Sequence, residues 1–244
     1  MKNSYITPNW PAPPNVKACC TTRLNGCSKN PYASFNLGSH VEDVPGDVEK
    51  NRIKLHKQLN LPSSCLWLEQ VHDNKVITCD DWYSDVSADG CYCSQPKQIC
   101  TIMSADCLPL LFCNKAGTEI MALHGGWRSL AAGIIAQGIK HFQSKPADIL
   151  VWLGPAISSK HFEVGHEVRE QFLKFNNKLA DCFKPSPNER WLMDIYNAAR
   201  LLLKSSGITE VYGGEHCTYA EEELFFSWRR DGQTGRMASL IYIE

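Results

Sequence analysis

Three short segments of the chain each place a metal-binding or nucleophilic side chain beside the end of a predicted strand. The side chains are His72, Cys107 and His124, and they lie within the segments EQVH, SADC and HGGWR. Two neutral imidazoles and one thiolate leave a fourth coordination position open, which is typical of a catalytic zinc site. Their separations of 35 and 17 residues mean that only tertiary folding can bring the three together. The sequence therefore predicts a His/Cys/His metal site as a hypothesis for the folded chain.

The same residues permit a second kind of chemistry. Cys107 paired with His72 or His124 would form a thiolate and imidazole pair, the nucleophile and base of a cysteine hydrolase. One sulfur cannot be both a metal ligand and a free nucleophile, so the two interpretations exclude each other. A third interpretation is a structural metal clip or a partner-binding element, which the open fourth position disfavours because structural zinc normally has four protein ligands.

Arginine and amide side chains complete the predicted substrate pocket. Guanidinium groups bind anions such as phosphate through paired donors, and amides orient polar ligands. The predicted substrate-binding and phosphate-binding residues are Arg23, Asn36, Gln70, Arg128 and Arg229. From the sequence alone each arginine also fits a surface ion pair, and the segment around Asn36 also fits a simple turn.

Composition restricts the class of protein. The chain has 244 residues, 43% of them hydrophobic, and a formal net charge of −1, which is typical of a globular domain with a sizeable core. Near-zero charge disfavours a nucleic-acid binder. We find no apolar run long enough for a membrane span or a secretory signal, so a cytoplasmic location away from membranes is expected. The twelve cysteines are accordingly predicted to be reduced thiols.

Hydrophobic periodicity predicts interleaved helices and strands. Helices are predicted over residues 48–61, 130–142, 164–175 and 193–205. Strands are predicted over residues 66–68, 75–78, 99–104, 108–113, 119–124, 149–153, 210–213 and 238–243. Three successive strands in residues 99–124 break the βαβ alternation and favour a mixed sheet within one α/β domain, residues 1–244. Three aromatic side chains near the C-terminus are predicted to be core: Phe225, Phe226 and Trp228.

An ordered set of motifs carries a family resemblance. The motifs are WLEQVH from residue 67, SADG from 87, TIMSADCLP from 101, HGGWR from 124, GPAI from 154, FEVG from 162 and RRD from 229. Over residues 10–243 the chain resembles the bacterial YfiH family, also labelled laccase-domain or polyphenol oxidase, peptidoglycan editing factor and purine nucleoside phosphorylase. The resemblance implies a single α/β domain with layered mixed β-sheets flanked by helices, and a zinc ion held by His72, Cys107 and His124.

The resemblance also implies activities. These are phosphorolysis of adenosine, inosine and methylthioadenosine, and hydrolytic deamination of adenosine, so the expected partners are purine nucleosides and phosphate. The labels leave two alternatives, a cytosolic amidase that edits wrongly amino-acylated peptidoglycan precursors and a copper-dependent polyphenol oxidase. Eight scattered histidines without an H-x-H pair disfavour a multicopper centre. Copper nonetheless binds such ligands tightly, so copper is the second candidate metal.

Overall fold

Two stacked β-sheets with helices on their outer faces form the body of the protein, in a computed structural model that describes residues 4–244. Residues 1–3 of the predicted domain lie outside the described part. In chain order the strands are β1 Tyr5–Ile6, β2 Val16–Thr21, β3 Cys65–Leu66, β4 Val76–Thr78, β5 Gly90–Cys93, β6 Ile99–Ser104, β7 Leu108–Asn114, β8 Ile120–Gly125, β9 Ile149–Leu153, β10 Glu163–Val164, β11 Phe183–Ser186, β12 Arg190–Met193, β13 Glu210–Gly213 and β14 Met237–Ile243.

The helices lie mostly outside the two large sheets. They are α1 Pro45–Leu59, α2 Trp127–Ala131, α3 Ile134–Ile139, α4 His166–Phe175, α5 Ile195–Ser205 and α6 Trp228–Asp231. Within the described residues, none of these helices has the length and apolar character needed to span a bilayer.

Strand pairing confirms the mixed α/β architecture. One sheet has the order β1-β2-β14-β6-β3 and the other β13-β9-β7-β8-β5-β4, while β10, β12 and β11 form a small third sheet. The pairs β3 with β6, β4 with β5 and β9 with β13 are parallel, and the remaining pairs are antiparallel. The three strands predicted in residues 99–124 are present, but they divide between sheets. β6 belongs to the five-stranded sheet, whereas β7 and β8 belong to the six-stranded one.

The six-stranded sheet is buried on both faces, as β7 illustrates. Leu108, Leu110 and Phe112 pack against the core beneath α3, α4 and α5, while Leu111 and Cys113 face the five-stranded sheet. Alternate side chains of a strand point to opposite faces, so a strand between two layers is apolar at nearly every position. This burial explains why continuous apolar runs predicted these strands so well.

Two predicted helices differ from the observed ones because of single residues. The helix predicted over residues 48–61 starts earlier, at Pro45, and ends at Leu59 because Asn60 adopts a left-handed conformation with φ 47°. The helix predicted over residues 130–142 is divided into α2 and α3. Gly133, at φ 83°, interrupts the helical backbone, and glycine reaches that region without steric cost.

The other two helices begin two residues later than predicted. Glu163–Val164 is the short strand β10, so α4 starts at His166. Asp194 caps α5 by accepting a hydrogen bond from the Asn197 N–H at 2.9 Å, so that helix starts at Ile195.

The prediction that all cysteines are reduced thiols is wrong for one pair. Cys79 and Cys93 are joined by a disulfide, with their Cα atoms 5.2 Å apart. Thr78 pairs with Tyr92 in the parallel β4 and β5 ladder, so the residues that follow them are neighbours. That adjacency depends on strand register and is invisible in the sequence separation of 14 residues. Cys107 is a free thiol.

Candidate metal centre

The turn that carries the chain from one large sheet to the other positions Cys107. β6 ends at Ser104 and β7 begins at Leu108, and between them Asp106 adopts φ 92°. The Asp106 carboxylate accepts hydrogen bonds from Thr218 Oγ1 and from the Arg229 N–H, both at 2.6 Å. The Cys107 side chain therefore lies on a turn braced by residues more than a hundred positions away.

His124 lies near the end of β8, where it pairs with Pro109 of β7. The side chain is 3% exposed, and its Nδ1 is 2.7 Å from Oδ1 of Asp89, which is itself fully buried. This contact leaves Nε2 of His124 as the nitrogen available to a metal. A carboxylate that orients a ligand histidine in this way fixes the imidazole tautomer.

His72 lies on the loop between β3 and β4, with φ 62°. The carboxylate of Asp89 holds this loop as well, because it accepts the backbone N–H groups of Val71 at 3.1 Å, His72 at 3.0 Å and Asp73 at 2.8 Å. One buried carboxylate therefore contacts both histidine segments. Gln70 fixes the start of the loop.

The side-chain amide of Gln70 binds both backbone groups of Met103 in β6, as a residue of a neighbouring strand would. Its Nε2 donates to the carbonyl of Met103 at 2.8 Å, and its Oε1 accepts the Met103 N–H at 2.7 Å. These two bonds attach the loop that carries His72 to β6, the strand that leads to Cys107.

The three predicted ligands meet. Their donor atoms all lie within 4.8 Å of one another, and Sγ of Cys107 is 3.9 Å from Nε2 of His72. A tetrahedral zinc ion separates its sulfur and nitrogen ligands by about 3.6 Å, so small side-chain shifts suffice. A Cβ atom on Gly126 would lie 3.1 to 3.4 Å from all three side chains, so this glycine leaves the space between them open. The arrangement fits a metal ion with three protein ligands.

Charge coupling within the group favours a thiolate beside an imidazolium when no metal is bound. Burial alone would raise the pKa of the Cys107 thiol, but the adjacent His124 and His72 lower that pKa to about 6. Burial would lower the pKa of His124, but the Cys107 thiolate and Asp89 raise it to about 9. Burial also opposes ionisation of Asp89, yet hydrogen bonds from His124 and the backbone hold its pKa below the usual range. A divalent cation would replace the imidazolium proton.

A cavity of about 410 Å³ opens onto this group. Its lining includes three of the predicted substrate-binding residues, Gln70, Arg128 and Arg229. One Arg229 group, Nη1, donates to the carbonyl oxygen of Glu163 at 2.9 Å. That volume lies within the range of small-molecule sites, roughly 300–1,000 Å³.

Arg23 and Asn36 do not line this cavity. Arg23 donates to the carbonyls of Ala33 at 3.0 Å and Glu222 at 3.2 Å, and its guanidinium stacks on the Phe226 ring. Asn36 is fully buried, and its Oδ1 accepts the N–H of Arg236 at 2.9 Å. It therefore lies directly behind a lining residue.

The cavity is also lined by residues that the sequence analysis did not assign to the site. His40, Ser104, Arg236 and Trp228 all line it. The prediction that Trp228 is core is wrong, since this side chain is 59% exposed at the start of α6, whereas Phe225 and Phe226 are fully buried as predicted. The available signal in the sequence was a tryptophan directly followed by two arginines, Arg229 and Arg230. Nothing in the local sequence around His40 marks it as a site residue.

Comparison with known proteins is consistent with this geometry. The family model described as multi-copper polyphenol oxidoreductase laccase matches residues 17–244. Proteins named purine nucleoside phosphorylase YfiH from Shigella flexneri and Escherichia coli K12 are each 48% identical to this chain over 242 residues, which is 99% of either partner. A purine nucleoside phosphorylase of Haemophilus influenzae is 45% identical over 241 residues.

Solved structures show the same fold. The crystal structure of the Neisseria meningitidis protein NMB0706 has a TM-score of 0.96 at 43% identity, covering 99% of this chain and all of that one. YlmD from Geobacillus stearothermophilus has a TM-score of 0.93 at 30% identity, covering 100% of this chain and 97% of that one. These matches confirm the resemblance found in the sequence, and the chain belongs to the multi-copper polyphenol oxidoreductase laccase family that includes the YfiH proteins.

Proposed function

We propose that this protein is a cytoplasmic, zinc-dependent purine nucleoside phosphorylase that acts on adenosine, inosine and methylthioadenosine and also deaminates adenosine. The names of relatives at 48% identity support the phosphorylase assignment. The observation that carries the proposal is a single cavity containing a metal-binding group, several cationic side chains and apolar aromatic walls. Its proposed partners are nucleosides and phosphate, with no nucleic acid or membrane.

The apolar part of the cavity fits a purine base. Ile157, Phe162 and Trp228 line it, and Phe162 is 8% exposed while Trp228 is largely open to solvent. Flat heterocycles stack favourably on aromatic side chains, which tolerate different substituents on the ring. This tolerance agrees with a substrate range that includes adenosine and inosine, which differ on the ring, and methylthioadenosine has the same base as adenosine.

The polar part of the cavity fits phosphate and the reacting bond. His72, Cys107 and His124 would hold the metal and are the proposed catalytic residues. A zinc ion held by them would supply Lewis acidity at this end of the cavity. Arg128 and Arg229 add positive charge that attracts phosphate into the cavity.

Three predicted substrate-binding residues act by positioning in this proposal. Gln70 keeps the His72 loop against β6 through Met103. Asn36 supports the lining from behind through Arg236. Arg23 holds the segment around Ala33. The proposal assigns them no direct contact with substrate.

The two reactions balance without a redox partner. In phosphorolysis a phosphate oxygen bonds to the anomeric carbon of ribose, and the bond to the base nitrogen breaks. The base takes the electron pair and a proton, and ribose 1-phosphate results. In deamination water adds to the purine carbon that bears the amine, and ammonia leaves. Neither reaction consumes an oxidant, in contrast to polyphenol oxidation.

The test is an assay on metal-quantified protein with adenosine, in the presence and absence of phosphate. We expect adenine and ribose 1-phosphate only with phosphate, and inosine under both conditions. Cys107→Ala should lose zinc and both activities together. Cys27→Ser is the matched control, because Cys27 is an exposed free thiol outside the cavity lining. Zinc-loaded wild-type protein that converts no nucleoside would refute the proposal.

One observation favours a second candidate. The Cys107 thiol has a pKa lowered to about 6 and lies 3.9 Å from an imidazole nitrogen, as a nucleophilic cysteine requires. Amide hydrolysis of a wrongly amino-acylated peptidoglycan precursor would use this pair without a metal. Activity that survives full chelation of metal, and disappears on alkylation of Cys107, would select this candidate over the phosphorylase.

Copper chemistry is less well supported. Within residues 4–244 the structure offers one three-residue group of metal-binding side chains, the His/Cys/His group. A coupled multicopper oxidase requires several copper ions held close together, and therefore many more ligands. Zinc is the proposed native metal, and copper is the expected competitor because it binds nitrogen and sulfur ligands more tightly.

A further inference from the structure

Two distant segments of the chain are locked together at one wall of the cavity. The Leu37 N–H donates to the carbonyl of Arg236 at 3.2 Å, and the Arg236 N–H donates to Oδ1 of Asn36 at 2.9 Å. The Asn36 amide also binds both backbone groups of Gly38. The backbone of residues 36–38 is therefore fixed against residue 236, which immediately precedes β14.

Gly38 lets two side chains of this wall approach each other. A Cβ atom at Gly38 would lie 2.8 Å from Cγ of Arg236 and 3.3 Å from Cε1 of His40. The Arg236 stem and the His40 ring therefore flank the same point, and both side chains line the cavity. Any larger residue at position 38 would push them apart.

Arg236 has unused hydrogen-bond donors. Its Nη1 donates to the carbonyls of Thr234 at 2.9 Å and Gly235 at 3.1 Å. The described residues supply no acceptor for its Nε or Nη2 groups and no carboxylate within ion-pair distance. The ionisable groups that act on Arg236 are Cys107, Asp106 and Tyr32, and Asp106 already accepts hydrogen bonds on both carboxylate oxygens. A partly buried guanidinium with a free pair of donors is suited to an oxyanion.

Ser104 provides an independent observation on the same wall. Ser104 is a lining residue of the cavity and is 2% exposed, and its buried Oγ has no hydrogen-bond partner among the described residues. Ser104 pairs with Met237 across β6 and β14, so its backbone lies close to that of Arg236. Buried hydroxyl groups without a partner are rare in folded proteins, and Ser104 has the one hydroxyl of this kind among the lining residues of the cavity.

We propose that His40, Ser104 and Arg236 form the oxyanion subsite that holds inorganic phosphate beside the metal centre. The role of this subsite in the reaction rests on the proposed phosphorolysis. Its affinity for phosphate can be measured without any turnover. Phosphate offers four oxygens to the two free guanidinium donors, the serine hydroxyl and an imidazole N–H. The subsite presents the attacking oxygen to the nucleoside, whose base stacks on the apolar walls.

The first experiment measures binding of inorganic phosphate to the zinc-loaded protein by calorimetry. Arg236→Met keeps the stem that packs on Gly38 but removes the donors, and should weaken phosphate binding about tenfold to hundredfold. Ser104→Ala should weaken it about twofold to tenfold. Arg190→Met is the control, because Arg190 forms an exposed ion pair with Glu163 outside the cavity lining and should leave binding unchanged.

Steady-state kinetics distinguish a role of Arg236 in phosphate binding from a purely structural role. Arg236→Met should raise the KM for phosphate while leaving the KM for inosine within about twofold of wild type. Should Arg236→Met fold poorly by circular dichroism, Ser104→Ala and Gly38→Ala replace it. Gly38→Ala displaces both flanking side chains without removing charge, and should also raise the KM for phosphate.

The outcomes distinguish the two proposals. If the wild-type protein binds phosphate and the variants weaken that binding as expected, yet no ribose 1-phosphate forms, the subsite would be supported and the phosphorylase function refuted. If the wild-type protein performs phosphorolysis, and the KM for phosphate in Arg236→Met and Ser104→Ala equals that of the wild type, the subsite alone would be overturned. Absence of measurable phosphate binding to zinc-loaded wild type would also overturn it.

Discussion

Replacing Asp89 with asparagine should weaken metal binding even though Asp89 is not one of the candidate ligands. The carboxylate accepts four hydrogen bonds. Oδ1 receives the His72 N–H at 3.0 Å and contacts His124 Nδ1 at 2.7 Å, while Oδ2 receives the N–H groups of Val71 and Asp73 at 3.1 and 2.8 Å. An asparagine has only one acceptor oxygen, so its NH₂ group must face one of these two pairs.

Either orientation of the amide at position 89 lowers a measurable quantity, the metal affinity or the unfolding free energy. If the NH₂ group faces His124, Nδ1 must become an acceptor, and the proton moves to the nitrogen that would bind the metal. Loss of such an orienting carboxylate typically lowers metal affinity about 10- to 100-fold, or about 1.4 to 2.8 kcal/mol. If the NH₂ group faces Val71 and Asp73, two partly buried N–H donors lose their acceptor. Each lost hydrogen bond then costs about 1 kcal/mol of unfolding free energy.

The assay is zinc titration against a competing chelator, combined with denaturant unfolding of the metal-free protein. Asp85→Asn is the matched control, because Asp85 lies on the same loop, is exposed, and has a positive φ of 63° that asparagine tolerates. Unchanged zinc affinity together with unchanged unfolding free energy in Asp89→Asn would refute the reasoning.

Three further predictions concern the metal centre and the cavity. Gly126→Ala should lower the zinc stoichiometry measured by elemental analysis without unfolding the protein, because the new Cβ would lie 3.1 Å from a His72 ring carbon. Gly46→Ala is the control: its Cβ would meet nothing within 4 Å, so the zinc stoichiometry should not change. In metal-free protein, alkylation of Cys107 should slow as pH falls through about 6, because the lowered pKa keeps the thiol ionised above that pH, and a midpoint near 9 would contradict this. Trp228→Ala should raise the KM for nucleoside but not for phosphate, and equal effects on both would exclude a role in base stacking.

The sequence predicted local features accurately where a short segment carried the whole signal. Ile99–Ser104, Ile149–Leu153 and Glu210–Gly213 have the predicted boundaries, because each is an apolar or β-branched run bounded by turn residues. Errors occurred where one backbone conformation overrode a pattern. Gly133 divided an otherwise convincing helix because its φ of 83° is incompatible with continuation.

The strands β2 and β5 were missed for a related reason. Their sequences, VKACCT and GCYC, are short and lack a run of β-branched residues, so no local pattern marks them. They are strands because they pair with β14 and β8 in the interior of the sheets. The pairing of β4 with β5 brings Cys79 beside Cys93, which the sequence did not predict.

By itself the sequence determined the mixed α/β class and the family, and it predicted His72, Cys107 and His124 as candidate metal ligands, because residue type and strand-end position limit the possible chemistry. Only the tertiary structure decided which other residues join them. His40 and Arg236 become neighbours through hydrogen bonds between segments nearly 200 residues apart. The register of β6 against β14 brings the backbone of Ser104 close to them. Such contacts depend on long-range pairing of buried backbone groups, which no local sequence pattern encodes.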